Sequence, residues 1–148
     1  MSHGFAYYRA FRGSPNFTLD TRFAFIVNLA EMSDVLERMK AGGNWEAQNT
    51  TSLLEFGRKF PEFRKSSAWQ SRGFAGALQN CLDNTFPDGA LREATTNYHS
   101  LSLNRYLGVL ESAGKRGLER GSGCLHKLTV GFRGDGVHPI VARTSALQ

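Results

Sequence analysis

Apolar positions along the chain fall into two textures. From Met32 to Ala113 they recur at spacings of three and four residues, the period of a helix face. Met32, Val35, Leu36 and Met39 predict an amphipathic helix that stops at Ala41-Gly42-Gly43, where glycine makes a left-handed cap cheap. Thr50 or Thr51 is placed to cap a helix through Leu53, Leu54 and Phe56, which must end before Pro61. Trp69, Phe74, Ala77, Leu78, Cys81 and Leu82 form one face over residues 68–82. Phe86-Pro87-Asp88-Gly89 has the chemistry of a turn, and Asp88 is set to cap a short helix from Ala90 to about Thr96. Ser100 or Ser102 would cap the next helix. Leu103, Tyr106, Leu107, Leu110 and Ala113 lie on its apolar side, and Gly114 closes it.

The two ends read differently. Phe5 to Arg12 is aromatic and runs into Gly13-Ser14-Pro15, which predicts a strand and a turn. Phe17 to Leu29 suits a second strand or the approach to a helix, because short apolar runs fit both. Leu125 to Phe132 alternates as a strand would. Arg133-Gly-Asp-Gly136 then turns, and Val137 to Ala142 returns at a sheet edge because Pro139 has no N–H to give a ladder. The expected fold is therefore α+β, a helical core with short N-terminal strands and a wing-like C-terminal β-hairpin. Residues 1–148 are expected to form one domain, with 1–30 as a strand region and 74–142 as a winged-helix-like unit.

Composition narrows the class. Apolar residues at 41% and charged residues at 21% exclude a largely disordered chain. No apolar run reaches the length of a membrane-spanning helix, so no membrane partner is expected. Met1 to Phe5 lacks the basic and apolar blocks of a secretory leader. Cys81 and Cys124 are too few for a disulfide scaffold, although their number allows a single bridge. An intracellular, reducing location follows, cytoplasmic or nucleoid-associated. The glycosylation patterns at Asn16-Phe-Thr18 and Asn49-Thr-Thr51 then read as chance.

Charge adds direction. Eighteen Lys and Arg against 13 Asp and Glu give a net charge of +5. Residues 1–50 balance at five of each sign, whereas residues 111–148 hold six basic against three acidic. A basic excess of this kind suits an anionic partner, nucleic acid first. A second basic cluster, Arg58-Lys59, Arg64-Lys65 and Arg72, interleaves with Phe56, Phe60, Phe63 and Trp69. The aromatic spacing fits helical burial, so the reading preferred for this cluster is a core face of Phe and Trp with a solvated face of Arg and Lys.

The order from Phe74 to Val130 is helix, Pro-Asp-Gly turn, short helix, tight connection, longer helix, then a basic glycine-rich segment. With Ala90-Leu-Arg-Glu-Ala94, Leu103 to Gly114, Arg120-Gly-Ser-Gly123 and Leu128-Thr129, this resembles a winged helix-turn-helix domain. The resemblance implies that the longer helix enters the major groove and that the wing touches the backbone. Ser102, Asn104 and Arg105 would face the groove. Lys115, Arg116, Arg120, Lys127 and, in the hairpin turn, Arg133 would meet phosphates. The expected function is a small basic nucleic-acid-binding regulator, duplex DNA favoured, able to act as a homodimer and needing no cofactor.

Two other classes remain open. One is an interaction or assembly protein, of a viral kind among others, binding RNA or an acidic protein. The other is a Cys/His hydrolase or acyltransferase. His3 beside Phe5-Ala-Tyr-Tyr8, with Asn80-Cys81 later, is faintly similar to the lecithin:retinol acyltransferase-like group. Against it, Cys81 sits on an apolar helix face, where a thiol is hard to ionise. His99, His126 and His138 with Cys124 match no standard zinc spacing, so no metal is expected.

Overall fold

The computed structural model describes residues 2–93, 95–114 and 119–130. Among these residues every regular element is a helix. The order is α1 (Ser2–Phe11), α2 (Leu19–Arg38), α3 (Gly43–Lys59), α4 (Ser66–Asn84), α5 (Thr96–Ser112) and α6 (Ser122–Val130). The α+β expectation is thus corrected to an all-helical fold. Residues 5–12, expected as a strand, lie in or follow α1, and residues 17–29, open between a strand and the approach to a helix, lead into α2. Residues 125–130, expected as the first wing strand, lie in α6. The hairpin turn at Arg133 and the return strand from Val137 fall outside the described residues.

Tertiary packing explains the reversal at the N-terminus. Phe5 is buried against Phe56 and Phe60, and Tyr8 packs on Phe25 and Phe60. Phe5 and Tyr8 are three residues apart, which puts both on one side of a helix but on opposite faces of a strand. Thr18 then caps α2, its hydroxyl accepting from the Thr21 N–H at 3.3 Å.

The centre of the molecule is the antiparallel pair α3 and α4, joined by the bend at Phe60 to Lys65. Glycines let the two backbones touch. A methyl group at Gly73 would lie 2.6 Å from the Leu54 nitrogen and from the Thr50 oxygen. One at Gly57 would lie 2.6 Å from the Ser66 oxygen. Polar groups stitch the same seam. The Ser66 hydroxyl and the Gln70 amide both donate to the Gly57 carbonyl, at 2.6 and 3.0 Å. Thr50 and Thr51, expected as caps, sit inside α3 and donate back to the Glu46 and Ala47 carbonyls.

The α3 N-terminus is held from a distance. The Glu93 carboxylate accepts from the Asn44 N–H at 2.8 Å, which sets a negative charge at the positive end of the helix. The short helix expected from Ala90 is instead a turn around Gly89 (φ 86°), with an isolated bridge between Thr85 and Leu91. Asp88 accepts from the Ala90 N–H within that turn. Helix α5 is capped by Thr95 rather than by Ser100 or Ser102, and Gly114 (φ 62°) follows its end.

Helix α5 lies along α3 and α4. Leu103, Tyr106, Leu107 and Leu110 are buried with Ala47, Cys81, Leu91 and Cys124. Asn80 donates from its amide to the Gly43 carbonyl and meets the Tyr106 hydroxyl, both at 2.9 Å. Three helices therefore share one buried polar node. Phe56, Phe60 and Trp69 fill a second cluster with Phe5, Leu29 and Leu53. Arg58, Lys59, Arg64 and Lys65 stay exposed, as the aromatic and basic spacing of this stretch predicted. Cys81 and Cys124 form a disulfide that ties α6 to α4. Lys127 on α6 reinforces the tie by donating to the Leu82 and Thr85 carbonyls at the end of α4.

Three tests of this packing follow from the contacts. Gly73→Ala should destabilise by about 3 kcal/mol or more, because its methyl meets backbone that cannot yield. Gly108→Ala, with nothing within 4 Å of the added carbon, should stabilise by about 0.5–1 kcal/mol. Chemical denaturation of the pair reads both signs. Reduction of the disulfide, whose cysteines are 43 residues apart, should cost about 4 kcal/mol on the chain-entropy account. The midpoint in urea with and without reductant measures it. Burial pushes the Tyr106 phenol up to about 12, so the folded state resists its ionisation. That contribution is complete below pH about 10, where the unfolded phenol begins to ionise, and is lost as pH rises through about 12. Tyr106→Phe should remove this part of the alkaline loss of stability, read from urea midpoints between pH 9 and 12.

Candidate functional site

Helices α3 and α5 leave a cleft of about 400 Å³ between their outer faces. Thr51, Leu54, Glu55 and Arg58 line it from α3, at spacings that keep them on one side of the helix. Leu101, Asn104, Arg105, Gly108, Val109 and Ser112 line it from α5. Leu54 and Val109 are buried and close the bottom. Gly108 is exposed, and its missing side chain keeps the wall open. The result is an apolar base rimmed by guanidinium, amide and hydroxyl groups, a usual make-up for a small ligand site.

The electrostatics of the rim favour an anion. Glu55 pairs with Lys59 at 3.4 Å across one helical turn, so its charge is partly answered on the outside of the cleft. Among the described residues neither Arg58 nor Arg105 pairs with a carboxylate. Arg105 donates from Nη2 to the Gln48 side-chain oxygen, a contact between residues 57 apart in sequence. Burial pulls the Arg105 guanidinium below its ordinary value, slightly opposed by Tyr106. An arginine shifted this way keeps its charge at neutral pH. It is a partly dehydrated cation held in place by an amide.

The residues proposed from the sequence scatter when placed in the fold. Asn104 and Arg105 do line the cleft. Ser102 is fully buried beside the core of α5, and its hydroxyl has no hydrogen-bond partner among the described residues. Arg120 is exposed, with its guanidinium over the Phe74 ring at 5.4 Å. Lys127 is spent on the α4 carbonyls. Lys115, Arg116 and Arg133 lie outside the described residues. Arg58, Thr51 and Gln48 were missed as site residues. The signal for Arg58 was present, since it belongs to the solvated side of the basic and aromatic stretch.

The chemistry of the other candidates closes off. Cys81 is buried in a disulfide and carries no nucleophilic thiol, which corrects the Cys/His enzyme reading. Among the described residues no group of three His, Cys, Asp or Glu side chains is arranged to hold a metal ion. No helix among them is long and apolar enough to cross a membrane.

Comparison with known proteins gives the fold a family. Residues 1–123 match the family model described as heparinase II/III N-terminus. A heparin-sulfate lyase of Bacteroides thetaiotaomicron is 29% identical over 91 residues, covering 60% of this chain and 13% of the relative. A heparin-sulfate lyase of Bacteroides stercoris is 26% identical over 107 residues, covering 72% of this chain and 16% of the relative. The chain thus spans about one seventh of the length of these curated relatives. No solved structure matches at a significant level. These matches overturn the winged helix-turn-helix resemblance. With it go the nucleic-acid-binding regulator, the nucleic-acid partner and the RNA-binding or acidic-protein-binding alternative.

Proposed function

Because the chain belongs to the heparinase II/III N-terminus family, we propose that it is the helical module of a polysaccharide lyase and that the α3–α5 cleft holds an acidic sugar chain. The carrying observation is the cleft's pair of guanidinium groups, Arg58 and Arg105, neither of them paired with a carboxylate among the described residues. Arginine presents a planar fork of donors that matches sulfate and carboxylate oxygens two at a time. Beside those charges Asn104 offers an amide to sugar hydroxyls, and the Thr51 and Ser112 oxygens, whose protons go to the Ala47 and Val109 carbonyls, can accept from them. The apolar base of Leu54 and Val109 suits the C–H face of a sugar ring.

A lyase also needs a base that removes a proton. Among the described residues the carboxylate lining the cleft, Glu55, is already paired with Lys59, and the Thr51 and Ser112 hydroxyls give their protons to the Ala47 and Val109 carbonyls. The part assigned to this module is therefore binding and orientation. The disulfide supports an oxidising compartment for such a module, in place of the reducing one expected from the cysteine count.

The test is affinity for a heparin-derived oligosaccharide, measured by calorimetry at fixed ionic strength. Arg58→Ala and Arg105→Ala should each weaken binding by about tenfold, the scale of one charge-assisted contact. An oligosaccharide stripped of sulfate should bind the native chain as weakly as the variants bind the intact one. Unchanged affinity in both variants, or no affinity of the native chain for the sulfated sugar, would overturn the assignment.

A further inference from the structure

A second groove opens where α1 turns into α2. It has a volume of about 320 Å³ and is lined by Tyr7, Tyr8, Phe11, Asn16, Phe17 and Phe25. Two of these rings are bare. Tyr7 is 60% exposed and Phe11 53%. They stack on one another with centroids 6.5 Å apart and planes inclined by 25°. Leaving two large rings in water forgoes the burial that such side chains normally gain, and an exposed aromatic patch of this kind marks a contact surface.

The surroundings of the rings are basic. Between Met1 and Arg22 the chain carries Arg9, Arg12 and Arg22 against Asp20 alone. Arg22 rests its guanidinium over the Phe17 ring at 5.8 Å and donates from Nε to the Phe17 carbonyl at 2.7 Å. That contact fixes the fork at the groove edge. Its terminal nitrogens have no hydrogen bond or ion pair among the described residues. Arg12 follows Phe11 directly and is exposed. The Asn16 side-chain amide, on the groove wall, is likewise without a partner among the described residues.

We propose that this groove is a second subsite for the acidic polysaccharide, in which a sugar ring lies on the Tyr7–Phe11 face while Arg12 and Arg22 hold its sulfate or carboxylate. The proposal rests on the polysaccharide reading given for the α3–α5 cleft, but on different residues. A pyranose has an apolar face of C–H bonds that fits an aromatic plane, and acidic substituents at its rim. The groove is lined by rings, and the nearby cations are Arg22, held over Phe17, and Arg12, next to Phe11 in the chain. A duplex or a protein helix would need a longer or more continuous face than this short turn supplies.

The experiment is calorimetry of the full chain with a heparin tetrasaccharide, backed by amide chemical shifts that report each groove separately. Two sites per chain are expected. Tyr7→Ala with Phe11→Ala should abolish one of them or weaken it by about tenfold, shifting the amides of residues 7–17. Arg58→Ala should act on the other site alone. Because Tyr7 and Phe11 are exposed, the double variant should keep its thermal midpoint. Should it unfold, Arg12→Gln and Asn16→Ala, both at exposed positions, carry the same test. If the groove variants bind as the native chain does while Arg58→Ala weakens binding, the second subsite is overturned and the cleft assignment stands. If only the groove variants weaken binding, the cleft assignment falls and the subsite stands. A native chain that does not bind the tetrasaccharide at all overturns both.

Discussion

The whole arrangement depends on how closely α3 and α4 approach. Where Gly73 meets Thr50 and Leu54, and Gly57 meets Ser66, there is no room for a single added carbon. Backbones that close leave little space for side chains along the seam. The bulky residues of both helices are pushed to its two flanks. One flank becomes the aromatic cluster of Phe56, Phe60 and Trp69 that receives α1 and α2. The other receives α5, with Asn80 reaching the Gly43 carbonyl and the Tyr106 hydroxyl at once. Because a buried amide must find partners, that node fixes the depth at which α5 sits. The depth in turn sets which α5 residues face α3 across open space, and so it sets the cleft.

The central helices were legible because their apolar residues repeat at the helical period and few other patterns do. Trp69 to Leu82 and Leu103 to Leu110 bury the faces their spacing marked. The ends were not legible, for different reasons. Residues 5–12 hold so many aromatic side chains that strand and helix periods fit equally. The choice between them is made by Phe56 and Phe60, some fifty residues away in sequence. Ser102 misled because an amphipathic helix with one apolar face would expose it. Helix α5 is wedged against both α3 and α4, so its buried arc is wider and takes in Ser102 and Val109 together. The alternation at 125–130 was too short to define a strand, and Cys124 and Lys127 anchor that segment to α4 as a helix.

Charge gives a sign and says nothing about class. Net positive charge records a preference for anions, and phosphate, sulfate and carboxylate satisfy it alike. Basic residues from different stretches of the chain have separate duties in the fold. Lys127 serves the end of α4, Lys65 pairs with Asp34 and Glu37, and Arg120 lies over Phe74. What distinguishes Arg58 and Arg105 is therefore that they flank an open cleft with no carboxylate partner among the described residues, a property of the folded neighbourhood that no count along the chain contains.

The two guanidinium groups of the cleft are also unlike each other, and the difference matters for recognition. Arg105 is half-buried and tethered to Gln48, so its orientation is set before any ligand arrives. Arg58 is exposed and untethered, so it must lose side-chain freedom on contact. A fixed donor fork defines where one acidic group of a sugar can sit. A mobile one tolerates variation in where the next group falls. On the proposed reading, a site with one rigid and one adaptable cation suits a chain whose acidic groups vary in spacing better than two rigid ones would.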